Sequence, residues 1–585
     1  MPNPLSNIAG RNFLLPLFLA VIVNGLLLWH FHDRTWWPPD DGFSAHIAER
    51  FAQGEALSRE VDQFVSGYLH FVNAAALELF GKDLVSLRYP LIALGLIQST
   101  LVFLLFIRKG TALAVLASVV PTALGVLQYF NPNQHWYCLF WTIVLAWFLT
   151  TRTENGPRRF WVTGFLVFVI YMFRQVTGIL TAVGALSFLL YDAWEEEGET
   201  ARSSQPALFC RILIGLMLGG MIFYIGRMGD RLGILFLGIW PLIVLGWMAL
   251  RVRLPNGRVW EIVKYFLLGG SAALLPEILY QLLFGNLGSW LDDTFLRMVH
   301  YAQADFFKKQ MLFIHIKAAV SALDPFAGGI AWVNGLFWLG IFGAYLWVGA
   351  ETVKNLFARG RSRAGGRSIP PLPFLSVFYA VVSLQYLIPH YIHETLPLVA
   401  LAWGWGRGER SPQGKWAVVA VYAFFCFWGA AVYAGRPVPR SIDEILRTPP
   451  KKLTYAGGRL PFTSLWIEEE DIEVYSQMLQ LIQRETRPED VIFAVPYEAQ
   501  FYFLSGRRNP FPFTIFSHGV QNEGELQAVI RSVNEHPPAL IINAPSDKRQ
   551  DRFSEEFIET IQGRYALLAD VGMFEIYRPV DRIGK

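Results

Sequence analysis

Runs of apolar residues broken by short polar stretches fill the chain as far as residue 434. A helix needs about 20 apolar residues to cross a bilayer, and fewer inside a bundle. On that measure the pattern predicts about 13 transmembrane helices. They fall near 12–30, 86–107, 111–128, 136–150, 160–173, 176–192, 208–226, 231–250, 261–284, 328–349, 370–388, 391–406 and 416–434. From residue 435 to 585 the pattern changes. The amphipathic segments "IEVYSQMLQLIQRET" and "GELQAVIRSVNE" alternate there with short apolar runs, "VIFAVP", "ALIINA" and "MFEIYRP". That alternation of helical and strand periods predicts a small soluble α/β domain. The fold class is therefore a polytopic α-helical membrane protein with a C-terminal α/β domain: residues 1–434 form the membrane part and 435–585 the soluble part.

Composition agrees. Apolar residues make up 53% of the chain and charged residues only 17%, too greasy a balance for an ordinary soluble protein of 585 residues. The net charge of +3 is small, and Lys and Arg sit in short clusters between apolar runs, so the chain offers no basic surface for nucleic acid. Cys138, Cys210 and Cys426 have no metal-ligand spacing and read as buried thiols. The apolar run after Arg11 lacks a small-residue cleavage site and reads as an uncleaved first span.

Positive charge collects in cytoplasmic loops. The clusters beginning at Arg108, Thr151, Arg251, Lys354 and Arg407 all fall on one side of the predicted bundle, which makes that side cytoplasmic. The N-terminus is then inside, and the C-terminal domain is extracytoplasmic on the cell's inner (plasma) membrane. The long loops 31–85 and 285–327 share its outer face. All three are too long to be simple connectors.

The first of these loops holds "WWPPDDGFSAHIAERFAQGE" from Trp36 to Glu55. The prolines disfavour helix until the aspartates are passed, so a short helix is expected over Phe43–Gln53 with Asp41 as its N-cap. Capping plus interfacial tryptophans is one account of the stretch, and it explains one aspartate better than two. The other is chemical: two like charges at a membrane surface raise one pKa, giving a carboxylate that takes a proton from a nucleophile. Such a pair can also recruit a divalent cation, magnesium or manganese, although no complete ligand set is visible and no other cofactor is called for. His46 and Arg50, four apart, share one helix face, expected to be solvated. Asp292 and Asp293 form a second acidic pair, expected to cap a loop helix.

"DDGFSAHIAERFAQGE", followed by "SGYLHFVNAAALELFGKDLVSLRYPLIALGL", resembles the first outer loop and second span of the GT-C glycosyltransferases, nearest to the protein mannosyltransferase and aminoarabinose transferase type. Asp40, Asp41, Phe43, Leu79, Phe80, Gly81, Leu87 and Arg88 follow that family's order, with Asp41 standing where Glu is usual. "YMFRQVTG" is similar to the family's Arg-Gln turn, and "PHYIHETLP" to its late His-Tyr element. The resemblance implies a polyprenyl-phosphate-linked sugar as donor and a glycan, lipid or protein as acceptor, with membrane lipids around the fold. It implies Asp40 and Asp41 as the catalytic carboxylates, one of them the general base, and Arg88, Arg174, Gln175, His390 and Tyr391 around the donor phosphate. Trp37, His46, Tyr68 and His393 would touch substrate. Plain readings stand beside these roles: Arg174 as a snorkelling residue, Arg88 as a span anchor, His390 and His393 as interfacial residues. Two other function classes stay open. A transporter or flippase of lipid-linked sugars would put its charges near the midplane, and an envelope-assembly scaffold would not need the loop carboxylates.

Overall fold

The computed structural model describes residues 13–62, 67–203, 208–297, 299, 312–324, 328–359, 369–407, 412–435, 452–547 and 550–582. The expected join near residue 435 continues into 436–451, which lies outside the described residues, as do 360–368 and 408–411 of the basic clusters.

Helix α1 (Leu14–Phe31) leads into α2 (Pro38–Ala52) and α3 (Tyr68–Phe80). The bundle continues through α4 (Tyr89–Phe106), α5 (Thr111–Ala123), α6 (Gln134–Thr151), α7 (Pro157–Phe173) and α8 (Gln175–Ser203). Later helices occupy Leu208–Met228, Ile239–Arg251, Asn256–Leu283, Gly329–Arg359, Pro389–Arg407 and Pro412–Trp428. Every segment expected to span is helical, but among the described residues nine helices are long and apolar enough to cross a membrane. The segments near 136–150, 160–173, 370–388 and 391–406 are helices outside those nine. They are shorter or carry polar groups, such as His390, His393 and Glu394 on Pro389–Arg407. The chain is a multi-pass α-helical membrane protein.

Lipid tails are as apolar as leucine, so close packing and polar staples hold such a bundle together. Where α7 crosses the helix Asn256–Leu283, Gly164 and Gly269 let backbone touch backbone: a Cβ on either would fall on the Phe266 or Trp161 carbonyl. Buried Asn24 of α1 donates to Ser99 Oγ of α4 at 2.8 Å and accepts from Thr122 of α5.

The C-terminal region opens with a hairpin, β1 (Leu453–Tyr455) against β2 (Trp466–Glu468). A four-stranded sheet follows in the order β3 (Ile492–Val495), β4 (Leu540–Asn543), β6 (Phe574–Pro579), β5 (Tyr565–Val571), with only β3 and β4 parallel. The predicted strands are β3, β4 and β6, and the two predicted helices are Glu469–Glu485 and Glu523–Glu535. This region shares a core with the first long loop. Trp36, Phe43, Ile47 and Leu84 are buried in one cluster with Ile472, Tyr497, Phe501 and Ile542. The first long loop and the C-terminal region therefore lie on the same face of the bundle.

Candidate active site

Helix α2 begins earlier than its sequence implies. Pro38 and Pro39 are its first two residues, and Asp40 and Asp41 lie in its first turn. A proline there loses no helical hydrogen bond and arrives with a helical φ, so the prolines start the helix that they were expected to delay. Asp41 is not the N-cap. It lies inside the turn and accepts the Trp37 backbone N–H at 2.9 Å, satisfying one of the orphan donors of the helix start.

The face carrying His46 and Arg50 is not solvated. Gly42 lies so close to Gln500 that any Cβ would strike its backbone, His46 packs on Tyr502 with ring centroids 4.7 Å apart, and Arg50 donates to the Phe511 carbonyl at 2.9 Å. From Asp41 to Ala48 every residue of helix α2 is buried, and its contacts with the C-terminal region fix the first turn and its two acids. His46 meets only protein there, and burial holds its imidazole well below the usual histidine range.

Those acids part company. The Asp41 carboxylate is buried and forms an ion pair with Arg88 at 3.1 Å, while Arg88, fully buried, also donates to the His32 carbonyl at 2.9 Å. Burial pushes Asp41 up from its usual range, against the pull of Arg88 and the Trp37 N–H. Half-buried Asp40 faces the other way and accepts the Tyr129 hydroxyl at 2.6 Å. The pair is thus one acid neutralised by a structural cation and one turned toward the bundle.

Tyr129 leads to a second group of side chains. Its ring lies 5.1 Å from His390, which packs against Tyr391 at 4.7 Å. Tyr391 stacks on Tyr386 at 4.6 Å and lies beneath the Arg174 guanidinium at 5.8 Å. Arg174 sits at the break between α7 and α8, where extended backbone turns the chain and leaves the side chain pointing inward rather than snorkelling. It donates to Gln385 and, at 3.2 Å, to Thr177, and lies 3.1 Å from His135 Nδ1. His135 Nδ1 is 2.6 Å from the Glu394 carboxyl group. A carboxylate, a phenol, two imidazoles, a guanidinium and a second carboxylate so form one continuous polar layer at the end of an apolar bundle.

Of the residues singled out in the sequence, Asp40, Arg174, His390 and Tyr391 come together here. Gln175 is next to them but donates to the Thr294 carbonyl at 3.3 Å. Arg88 stands with Asp41 rather than beside Arg174, and Trp37 offers Asp41 its backbone. Tyr68 donates to the Ala273 carbonyl at 2.6 Å, and His393 is boxed by Phe337, Trp338 and Tyr433 with Nδ1 2.9 Å from the Leu124 carbonyl. Neither is in the polar layer. Tyr129, His135, Gln385 and Glu394 were not foreseen, although an ionisable residue in an apolar stretch is a functional candidate on that ground alone, which marks His135 and Glu394.

The second acidic pair also divides instead of capping. Asp292 pairs with Arg297 at 3.1 Å, and Asp293 lies 3.5 Å from His518 Nε2 of the C-terminal region. With Asp62 of the first loop these form a group whose ligand atoms lie within 4.8 Å of one another, the one group of metal-ligand spacing among the described residues. Burial pushes Asp62 up to about 6 and His518 down to about 3, so two acids and a neutral imidazole face one another, the donor set of a divalent cation. Asp40 and Asp41 have separate partners, Tyr129 and Arg88.

Fold and site together define a multi-pass membrane protein whose α/β region clamps an acidic helix start over a buried acid–base layer. The chain matches no family model and no curated protein. Among solved structures it is similar to ArnT from Cupriavidus metallidurans bound to undecaprenyl phosphate, at 12% identity and a TM-score of 0.38, over 97% of this chain and 98% of that one. The apo form of the same ArnT aligns at 12% identity and a TM-score of 0.38, over 96% and 97% of the two chains.

Proposed function

We propose that this chain is a membrane glycosyltransferase of the GT-C type, moving a hexose or pentose from a polyprenyl-phosphate donor to a glycan, lipid or protein acceptor. The observation that carries the reading is the link through Tyr129 from Asp40 to the layer holding Arg174. A base and a cation stand at opposite ends of one polar layer above apolar helices. Asp40 takes the proton of the acceptor O–H or N–H as that atom attacks the anomeric carbon. The bond from that carbon to the phosphate oxygen breaks, and polyprenyl phosphate leaves as the anion. Arg174 offsets the charge that develops on it. A single displacement inverts the anomeric configuration. Asp41, already paired, fixes the helix start and leaves the chemistry to Asp40. The positive clusters of the sequence support an extracytoplasmic position for this face, where no nucleotide sugar is available and a lipid-linked donor is the consistent choice.

Asp62, Asp293 and His518 would hold a divalent cation that ties both loops to the C-terminal region. Elemental analysis of purified protein is expected to find one bound divalent ion per chain, lost in His518→Ala and retained in Asp40→Asn. Metal-free protein, or loss of the ion on changing Asp40 alone, contradicts this. The functional class is tested by mass spectrometry of lipid-linked sugars and membrane glycans from cells with and without the chain. A donor that accumulates and a glycan that loses one sugar are expected in its absence, and unchanged profiles of both oppose the reading.

A further inference from the structure

A cleft of about 380 Å³ opens beside the end of α1, where His32, whose carbonyl accepts from Arg88, lines it. Its size is that of a small-molecule site. Trp29, Asp33, Arg34, Tyr89 and Tyr455 line it, so α1, α4 and the β1 strand all contribute. We propose that it binds the head group of a phospholipid carrying both a phosphate and a primary ammonium, phosphatidylethanolamine in chemical class, at a site separate from sugar transfer.

Three features of the cleft point to such an occupant. Its mouth is continuous with a surface built for acyl chains: Leu19, Ile22, Leu26 and Trp29 run exposed up one side of α1, and Phe80, exposed, stands edge-on to Tyr89 with centroids 4.9 Å apart. A soluble ligand would make no use of that lip. Inside, charges of both signs stand next to each other in the chain, and no ion pair joins Asp33 to Arg34 among the described residues. Arg34 lies over the Trp466 ring at 5.8 Å, with its Nε buried and without a hydrogen-bond partner among the described residues. The Asp33 backbone is fixed by the Trp466 N–H at 2.7 Å, so its position does not depend on its carboxylate. A guanidinium suits phosphate oxygens, whereas a carboxylate beside aromatic faces suits an ammonium. A purely anionic head would meet Asp33 as a like charge, and an uncharged one would leave the Arg34 guanidinium unanswered and Asp33 with only His32 Nδ1, 4.0 Å away. Neighbouring His32 has its Nδ1 2.6 Å from the Trp29 carbonyl, which fixes that wall of the cleft.

Native mass spectrometry of the full-length detergent-purified protein tests this with phosphatidylethanolamine, phosphatidylglycerol and inorganic phosphate as probes. Phosphatidylethanolamine is expected to bind about tenfold tighter than phosphatidylglycerol, a difference of about 1.4 kcal/mol. Asp33→Asn should erase that preference, and Arg34→Gln should weaken both lipids, with sugar transfer unchanged in either variant. Excess inorganic phosphate should not displace the lipid. Equal binding of the two lipids to the unaltered protein overturns the proposal, as does a preference that survives Asp33→Asn. Displacement by inorganic phosphate also overturns it, reducing the cleft to a free-phosphate site. Because this readout is binding, it stands or falls independently of the transferase reading.

Discussion

Asp40→Asn is expected to lower sugar transfer by about 10²–10⁴-fold, the usual contribution of a positioned general base, while the protein stays folded. The substitution keeps size and hydrogen bonding to Tyr129 but removes the proton acceptor. Asp40 is only half-buried and accepts the neutral Tyr129 hydroxyl, a bond that an asparagine carbonyl can also accept, so the helix start should hold. Donor binding should persist, because Arg174 and Tyr391 are untouched. A loss confined to KM would assign Asp40 to acceptor binding instead, and full activity would remove it from the chemistry. Transfer rates measured beside a thermal unfolding curve separate these outcomes.

The neighbouring acid should behave in the opposite manner. Arg88→Met leaves Asp41 as a buried carboxylate without its counter-ion, in a position where both partners are almost fully excluded from water. Breaking one side of such a pair costs about 3–5 kcal/mol, a large part of the stability of any domain. The expected phenotype is low yield and early unfolding rather than a folded, inactive enzyme. Arg88→Met combined with Asp41→Leu removes both charges, so it should recover much of the lost stability and give a double-mutant coupling well above 1 kcal/mol. Thermal melts of the two single variants and the double variant in the same detergent measure this. Additive losses would mean that the two groups do not compensate each other.

The contrast between two adjacent aspartates shows what the sequence could and could not disclose. Apolar runs mark where helices lie, because bilayer thickness acts locally, and every expected span is helical. They do not show which helices reach across, since Glu394, His135 and His390 shorten the apolar stretches of the helices around the polar layer. Strands β3, β4 and β6 were visible as apolar runs, whereas β1 and β2 have three residues each, too few to set a period, and β5 carries its partial exposure without clear alternation. The solvated face expected for α2 is a buried contact because its partner surface lies more than 400 residues away in the chain, as the bond from Arg50 to Phe511 illustrates. Asp40 and Asp41 were legible as a motif. Their division of labour was not, because it depends on Arg88 and Tyr129, which reach α2 from different segments of the chain. The acid–His–acid group of Asp62, Asp293 and His518 escaped for the same reason: its members come from three distant segments.

The most direct measurement is release of polyprenyl phosphate from a polyprenyl-phosphate sugar by the purified chain in lipid nanodiscs, with acceptor supplied from the membrane glycan fraction. One polyprenyl phosphate is expected to be released for each sugar transferred, with the anomeric configuration inverted. Transfer with retained configuration, or no turnover of any lipid-linked sugar isolated from the same cells, would contradict it.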